Sequence, residues 1–155
     1  MDAILSALEQ SQIALFFRGA RWSYALLNAT HILGIALLVG AILPLDLRLL
    51  GLWPDIDRRH LARVLIPMAA VGLCIAAAAG LILFSTRAGE YAALTVFRIK
   101  LVMIAAGVGS ALLMHARYGL WLEKATRTQL VVAGSISMMC WLGALVCGRL
   151  IAFVV

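Results

Sequence analysis

Charge is what this sequence has least of. Only 13 % of its 155 residues are Asp, Glu, Lys or Arg, while 65 % are hydrophobic and the mean hydropathy is +1.05. An average soluble domain is about a quarter charged. So little charge cannot cover a water-exposed surface, which excludes a soluble globular domain and makes lipid the solvent for most of the chain. Acids are scarcer than bases, 7 against 13. The resulting charge of +6 is not a nucleic-acid signature. The basic residues stand between long apolar runs, where headgroup contacts and topology signals are expected, and no nucleic-acid-binding motif is present.

Other absences narrow the field further. Cys74, Cys140 and Cys147 all fall in apolar runs, an odd set that makes no disulfide framework. There is no glycine-rich phosphate loop, no paired carboxylates inside an apolar run and no nucleophile triad. A nucleotide-driven pump and a self-sufficient hydrolase are thereby excluded. No internal repeat is visible, which argues against a lone secondary transporter unless the protein is a homo-oligomer. Met1 to Gln12 carries Asp2 and Glu9 but no Lys or Arg before Arg18, so it lacks the basic start of a cleavable signal. It reads instead as a short amphipathic helix in the interface, with Ile4, Leu5, Leu8 and Leu15 turned to lipid.

What is present is four apolar stretches, each near the roughly 20 residues needed to cross a bilayer. They span about 22–44, 61–85, 95–117 and 128–150. Pro67 lies early in the second. The third is less clean, because only 14 residues separate Lys100 from His115. Either Arg98 and Lys100 or His115 and Arg117 must then enter the membrane or snorkel to its edge. The connections are short, and Asp57 is placed to cap the second span. Glycines and alanines in the last three spans allow close backbone approach. The expected fold is a single all-α domain, an integral membrane up-down four-helix bundle with a short N-terminal interfacial helix.

Let side A hold both termini and the second loop, and side B the first and third loops. Side B carries Arg48, Arg58, Arg59, Arg63, Arg117, Lys124 and Arg127. The positive-inside rule puts that side in the cytoplasm and both termini outside.

Ionisable groups inside spans are costly and mark functional sites by default. His31 is the deepest, about 13 Å below side A at 1.5 Å per residue. Tyr24, Asn28 and His31 fall at i, i+4 and i+7 and share one helical face, expected to look into the bundle. His31 could hydrogen-bond a neighbouring helix, ligate a metal or haem, or transfer protons beside a quinone. Arg98 and Lys100 open the third span, and Arg149 closes the fourth on the same side. With few acids on side A, these cations await either lipid phosphate or the carboxylates of a ligand such as haem propionates. On side B, Asp55, Asp57, His60 and His115 form a second set with metal-ligand side chains. Capping and interfacial charge pairing also account for it. His31 and His115 lie well over about 10 Å apart along the membrane normal by the helical rise, so they do not ligate one haem. A sixth ligand would be Met103, Lys100 or an open position. Met138, Met139 and Cys140 are consecutive and splay around their helix, Cys140 and Cys147 share a face but are only two thiols, and all read as core packing.

The stretch His31-Ile-Leu-Gly34-Ile-Ala-Leu-Leu-Val-Gly40, followed by Asp46-Leu-Arg-Leu-Leu-Gly51, resembles a family of short four-span bacterial inner-membrane proteins. It is also distantly similar to the first helix of HemJ-type protoporphyrinogen oxidases and of the CopD copper-resistance membrane domain. The HemJ type has a functional Lys beginning a later span, matched by Lys100 in Arg98-Ile-Lys-Leu. The resemblance implies haem b or porphyrin binding around His31 and Lys100.

Two readings follow. In the first, the chain is a haem-b-binding redox protein passing electrons between a periplasmic partner and quinone. His31 is then the axial ligand, Lys100, Arg98 and Arg149 hold the propionates, and Tyr24 and Asn28 support the histidine. In the second it is a non-redox accessory subunit or a small-solute or metal permease component, and the same residues serve packing and lipid binding.

Overall fold

The computed structural model describes residues 2–154, and among them no strand occurs. Two short helices come first, α1 (Asp2–Glu9) and α2 (Gln12–Gly19). The expected single interfacial helix is thus divided at Ser11, whose side chain accepts from the Ala14 N–H and starts α2. Four long helices follow: α3 (Arg21–Leu50), α4 (Arg58–Thr86), α6 (Thr95–Tyr118) and α7 (Arg127–Val154), with the short α5 (Ala88–Ala93) between α4 and α6. Each long helix is long and apolar enough to cross a membrane. The chain is a multi-pass helical membrane protein.

Exposure makes the same point energetically. Trp22, Leu26, Val64, Leu81, Val102 and Met139 are all at least 60 % exposed. Leaving those six side chains in water would cost roughly 9–18 kcal/mol at 1.5–3 kcal/mol each, as much as the whole stability of a typical domain. In lipid that penalty vanishes.

Asp57 caps α4, accepting from the His60 N–H at 2.9 Å, as its position implied. Gly51 ends α3 in the left-handed region at φ 112°, where a side chain would be strained. The first span does not stop at Pro44. The helix continues to Leu50, because proline forbids only the hydrogen bond of its own nitrogen, and spanning helices tolerate that loss. Asp46 and Arg48 therefore belong to α3 rather than to the loop. The third span is likewise complete, and Arg98, Lys100, His115 and Arg117 all lie within α6.

The four spans stand in a row, in the order α4, α3, α7, α6. α3 packs on α4 and α7, and α6 packs on α7, whereas the backbone of α4 approaches neither α6 nor α7. The second and third spans are thus not packed along their lengths, although the connection between them is short. α5 intervenes, and at side A they meet through side chains, the Phe84 and Phe97 rings stacking at 5.3 Å. Small residues set the row. A Cβ on Gly34 would lie 2.5 Å from the Ala76 nitrogen, and one on Gly72 would lie 2.5 Å from the Leu38 nitrogen. The backbones of α3 and α4 are therefore in contact. Gly134 admits the Asp46 carbonyl and Leu49 from α3, and Gly107 admits Trp141 between α6 and α7.

Candidate functional site

The Gly34–Gly72 crossing fixes the surroundings of His31. One turn before Gly34, the imidazole reaches α4, and its Nδ1 lies 2.8 Å from the Ala76 carbonyl oxygen. A carbonyl only accepts, so Nδ1 carries the proton and donates, which leaves the Nε2 lone pair free. Nε2 has no hydrogen-bond partner, and it is not among the buried unpartnered atoms, so it opens to the surroundings. The ring also lies against Gly80, where an added Cβ would come 2.9 Å from Cε1. Gly80 is therefore part of the site, a role invisible in a helix that carries so many small residues.

Tyr24 and Asn28 do share the face of His31 but lie exposed at the edge of the α3–α4 interface. The expected inward stripe is inward only at His31, because α3 turns its close contact to α4 from Leu27 and Gly34 onward. Tyr24 instead stands beside Tyr91 of α5, whose phenol is pushed above its ordinary value by burial first and by that neighbour second.

The three cations separate. Lys100 runs along α7, with Nζ in contact distance of Gly148 (3.4 Å from an added Cβ) and near Cys147. Its charge acts on His31, and it forms no salt bridge among the described residues. Arg98 turns back to the Ala93 carbonyl and the Thr95 hydroxyl. Arg149 lies over the Phe153 ring at 4.8 Å. Met103, one turn beyond Lys100, rests its sulfur against Gly143. The structure thus brings His31 and Lys100 within electrostatic reach, with Met103 adjoining Lys100 along α7, and leaves Arg98 and Arg149 at the exposed rim.

The set on side B does not assemble. His60 pairs with Asp57 at 3.1 Å, but Asp55 is exposed and His115 sits on α6, which does not pack against α4. Among the described residues no three His, Cys, Asp or Glu side chains cluster as metal ligands. The His60 backbone N–H holds the Asp57 carboxyl below its usual value, which is the signature of a cap.

One buried group was missed. Asp46, placed in a loop by the apolar count, is 3 % exposed between α3 and α7, with the Ser137 side chain of α7 close by and Oδ2 without a partner. The signal in the sequence was the continuation Leu45-Asp46-Leu47 after Pro44, apolar on both sides of the acid.

Fold and site together define a four-span membrane protein with a histidine fixed at a glycine-mediated helix crossing. Comparison of the chain with protein families, with curated proteins and with solved structures finds no match.

Proposed function

We propose that this chain is a haem-b-binding electron-transfer protein of the bacterial inner membrane, working between a periplasmic partner and quinone with both termini in the periplasm. The observation that carries the reading is the state of His31. Its Nδ1–H is anchored on the Ala76 carbonyl while Nε2 is unpartnered, the arrangement in which ligating histidines are commonly held. That anchoring orients the ring and raises the basicity of Nε2. Lys100, without a carboxylate among the described residues and electrostatically coupled to His31, suits a propionate. Arg98 and Arg149, exposed at the side-A rim, would meet the acid edge or lipid phosphate. Haem b would supply a one-electron couple at this position. The resemblance of the His31–Gly40 stretch and of Lys100 to the HemJ pattern points the same way.

A second reading, a non-redox accessory subunit or a small-solute or metal permease component, draws on the same hydrogen bond. A histidine that ties α3 to α4 needs no ligand. An absorption spectrum of the purified protein, oxidised and dithionite-reduced after expression with haem supply, separates the two. A Soret band and a reduced α band that disappear in His31→Ala support haem. A colourless, folded protein despite ample haem overturns it and leaves the second reading.

A further inference from the structure

Asp46 lies at the opposite side of the membrane from the haem reading and does not depend on it. We propose that Asp46 with Ser137 forms a proton-binding site, the carboxyl held as the neutral acid between α3 and α7 and exchanging its proton with side B.

The first support is burial without a counter-charge. Asp46 is 3 % exposed, and Oδ2 is enclosed with no partner. An ionised carboxylate there would lose its solvation with no counter-charge to offset it, whereas a protonated one leaves a single O–H to satisfy. None of the charged groups on the surrounding elements pairs with it. Arg48, on α3 itself, donates to the Ile56 and Pro54 carbonyls at 2.7 and 3.0 Å. Arg127 of α7 places its guanidinium against Gly51. On α4, Arg59 pairs with Glu123 and His60 with Asp57, and Arg63 is exposed; Arg58 keeps Nη1 buried without a partner, but the charges acting on it are Arg48, Arg59, Asp57 and Glu123 rather than Asp46. Arg18 of α2 is bound to Thr86 at side A. None of them forms an ion pair with Asp46.

The second support is a route and a means of opening. Asp46 is one turn from the end of α3 at Leu50, so about 6 Å separate it from side B at 1.5 Å per residue. Pro44 removes one helix hydrogen bond two residues before it, which makes the terminal turns of α3 the natural place to bend. Gly134 keeps α7 against the Asp46 carbonyl, at 3.1 Å from an added Cβ. Opening that contact admits water. The Oδ2–H bond then breaks, the proton passes to water on side B, and the carboxylate remains beside the Ser137 hydroxyl. Reclosing requires the proton's return, so the packing of α3 on α7 is linked to proton occupancy.

The test is infrared spectroscopy of the full chain in liposomes. With only seven Asp and Glu residues, and the remaining ones outside the spans, the C=O band of a protonated carboxylic acid at neutral pH is assignable. The band should be lost in Asp46→Asn. In wild type it should shift in D2O and fall reversibly as pH rises. Ser137→Ala should shift it to higher frequency by removing the neighbouring hydroxyl, a check that survives if Asp46→Asn misfolds. A spectrum with no acid band at neutral pH overturns the proposal. So does a band that neither exchanges deuterium nor titrates, since that describes a permanently closed structural acid.

Discussion

Gly34 and Ala76 stand backbone to backbone: a Cβ on the glycine would fall 2.5 Å from the Ala76 nitrogen and 2.9 Å from its Cα. No rearrangement of a flexible side chain can relieve such a contact, because the obstructing atoms are main chain. The same crossing delivers the Ala76 carbonyl to His31, so the packing of α3 on α4 and the orientation of the histidine are one structural event.

Gly34→Val and Gly72→Val should each destabilise the protein by roughly 3 kcal/mol or more, at the upper end of overpacking costs. Gly40→Ala and Gly109→Ala, where nothing lies within 4 Å of an added Cβ, should be neutral or stabilising by about 0.5–1 kcal/mol through the gain in helix propensity. Thermal or denaturant melts in detergent measure both. If the Gly34 and Gly40 variants melted alike, the backbone contact would be unimportant.

The four spans were legible because hydropathy over about 20 residues is a strong signal that needs no knowledge of neighbours. The fate of individual residues was not. Pro44 reads as a stop, yet α3 continues through it and carries Asp46 into the interface. Short loops suggest that successive helices pack together, yet α5 separates α6 from α4, and the two meet at side A through the Phe84–Phe97 stack. Which of many glycines make contacts depends on helix order, and only the three-dimensional arrangement distinguishes Gly34 and Gly80 from Gly40 and Gly109. His31 was visible as a polar residue deep in a span. Its tautomer was not, because that is set by a carbonyl 45 residues away.

His31 links two measurements that a merely structural histidine would not separate. Interhelical hydrogen bonds in membranes average about 0.6 kcal/mol and reach about 1.7. His31→Ala should therefore lower the stability of haem-free protein by no more than that range, while abolishing any haem spectrum completely. A loss of several kcal/mol in the haem-free protein would instead mark His31 as a packing residue.

Glu9 and Arg18 fasten the N-terminal helices to side A. The Glu9 carboxylate accepts from the Gly89 N–H at 2.8 Å, and Arg18 donates to the Thr86 carbonyl at 2.6 Å. Both bonds are charge-assisted and also satisfy backbone groups around the end of α4 and the start of α5. Glu9→Ala with Arg18→Ala should loosen α1 and α2, seen as faster amide hydrogen exchange across residues 3–19. Exchange in α3 and α7 should remain unchanged. Uniform acceleration through all helices would show that the clasp supports the whole bundle rather than its edge.

Asp57 gives a pH dependence whose sign is fixed by its surroundings. The His60 N–H, 2.9 Å away, is the main cause that holds its carboxyl below the ordinary value of 3.8. Protons therefore bind the unfolded chain more readily than the folded one. The cap's contribution is fully present above the ordinary carboxylate value and is lost as pH falls through the lower, folded one. Melting temperature followed downward from neutral pH should show an acid decline that is smaller in Asp57→Asn, which retains a capping oxygen but does not titrate. Asp57→Ala should melt lower than wild type at neutral pH, and the gap should narrow at the acid end. Parallel curves for wild type and Asp57→Asn would mean that another carboxyl governs the acid limb.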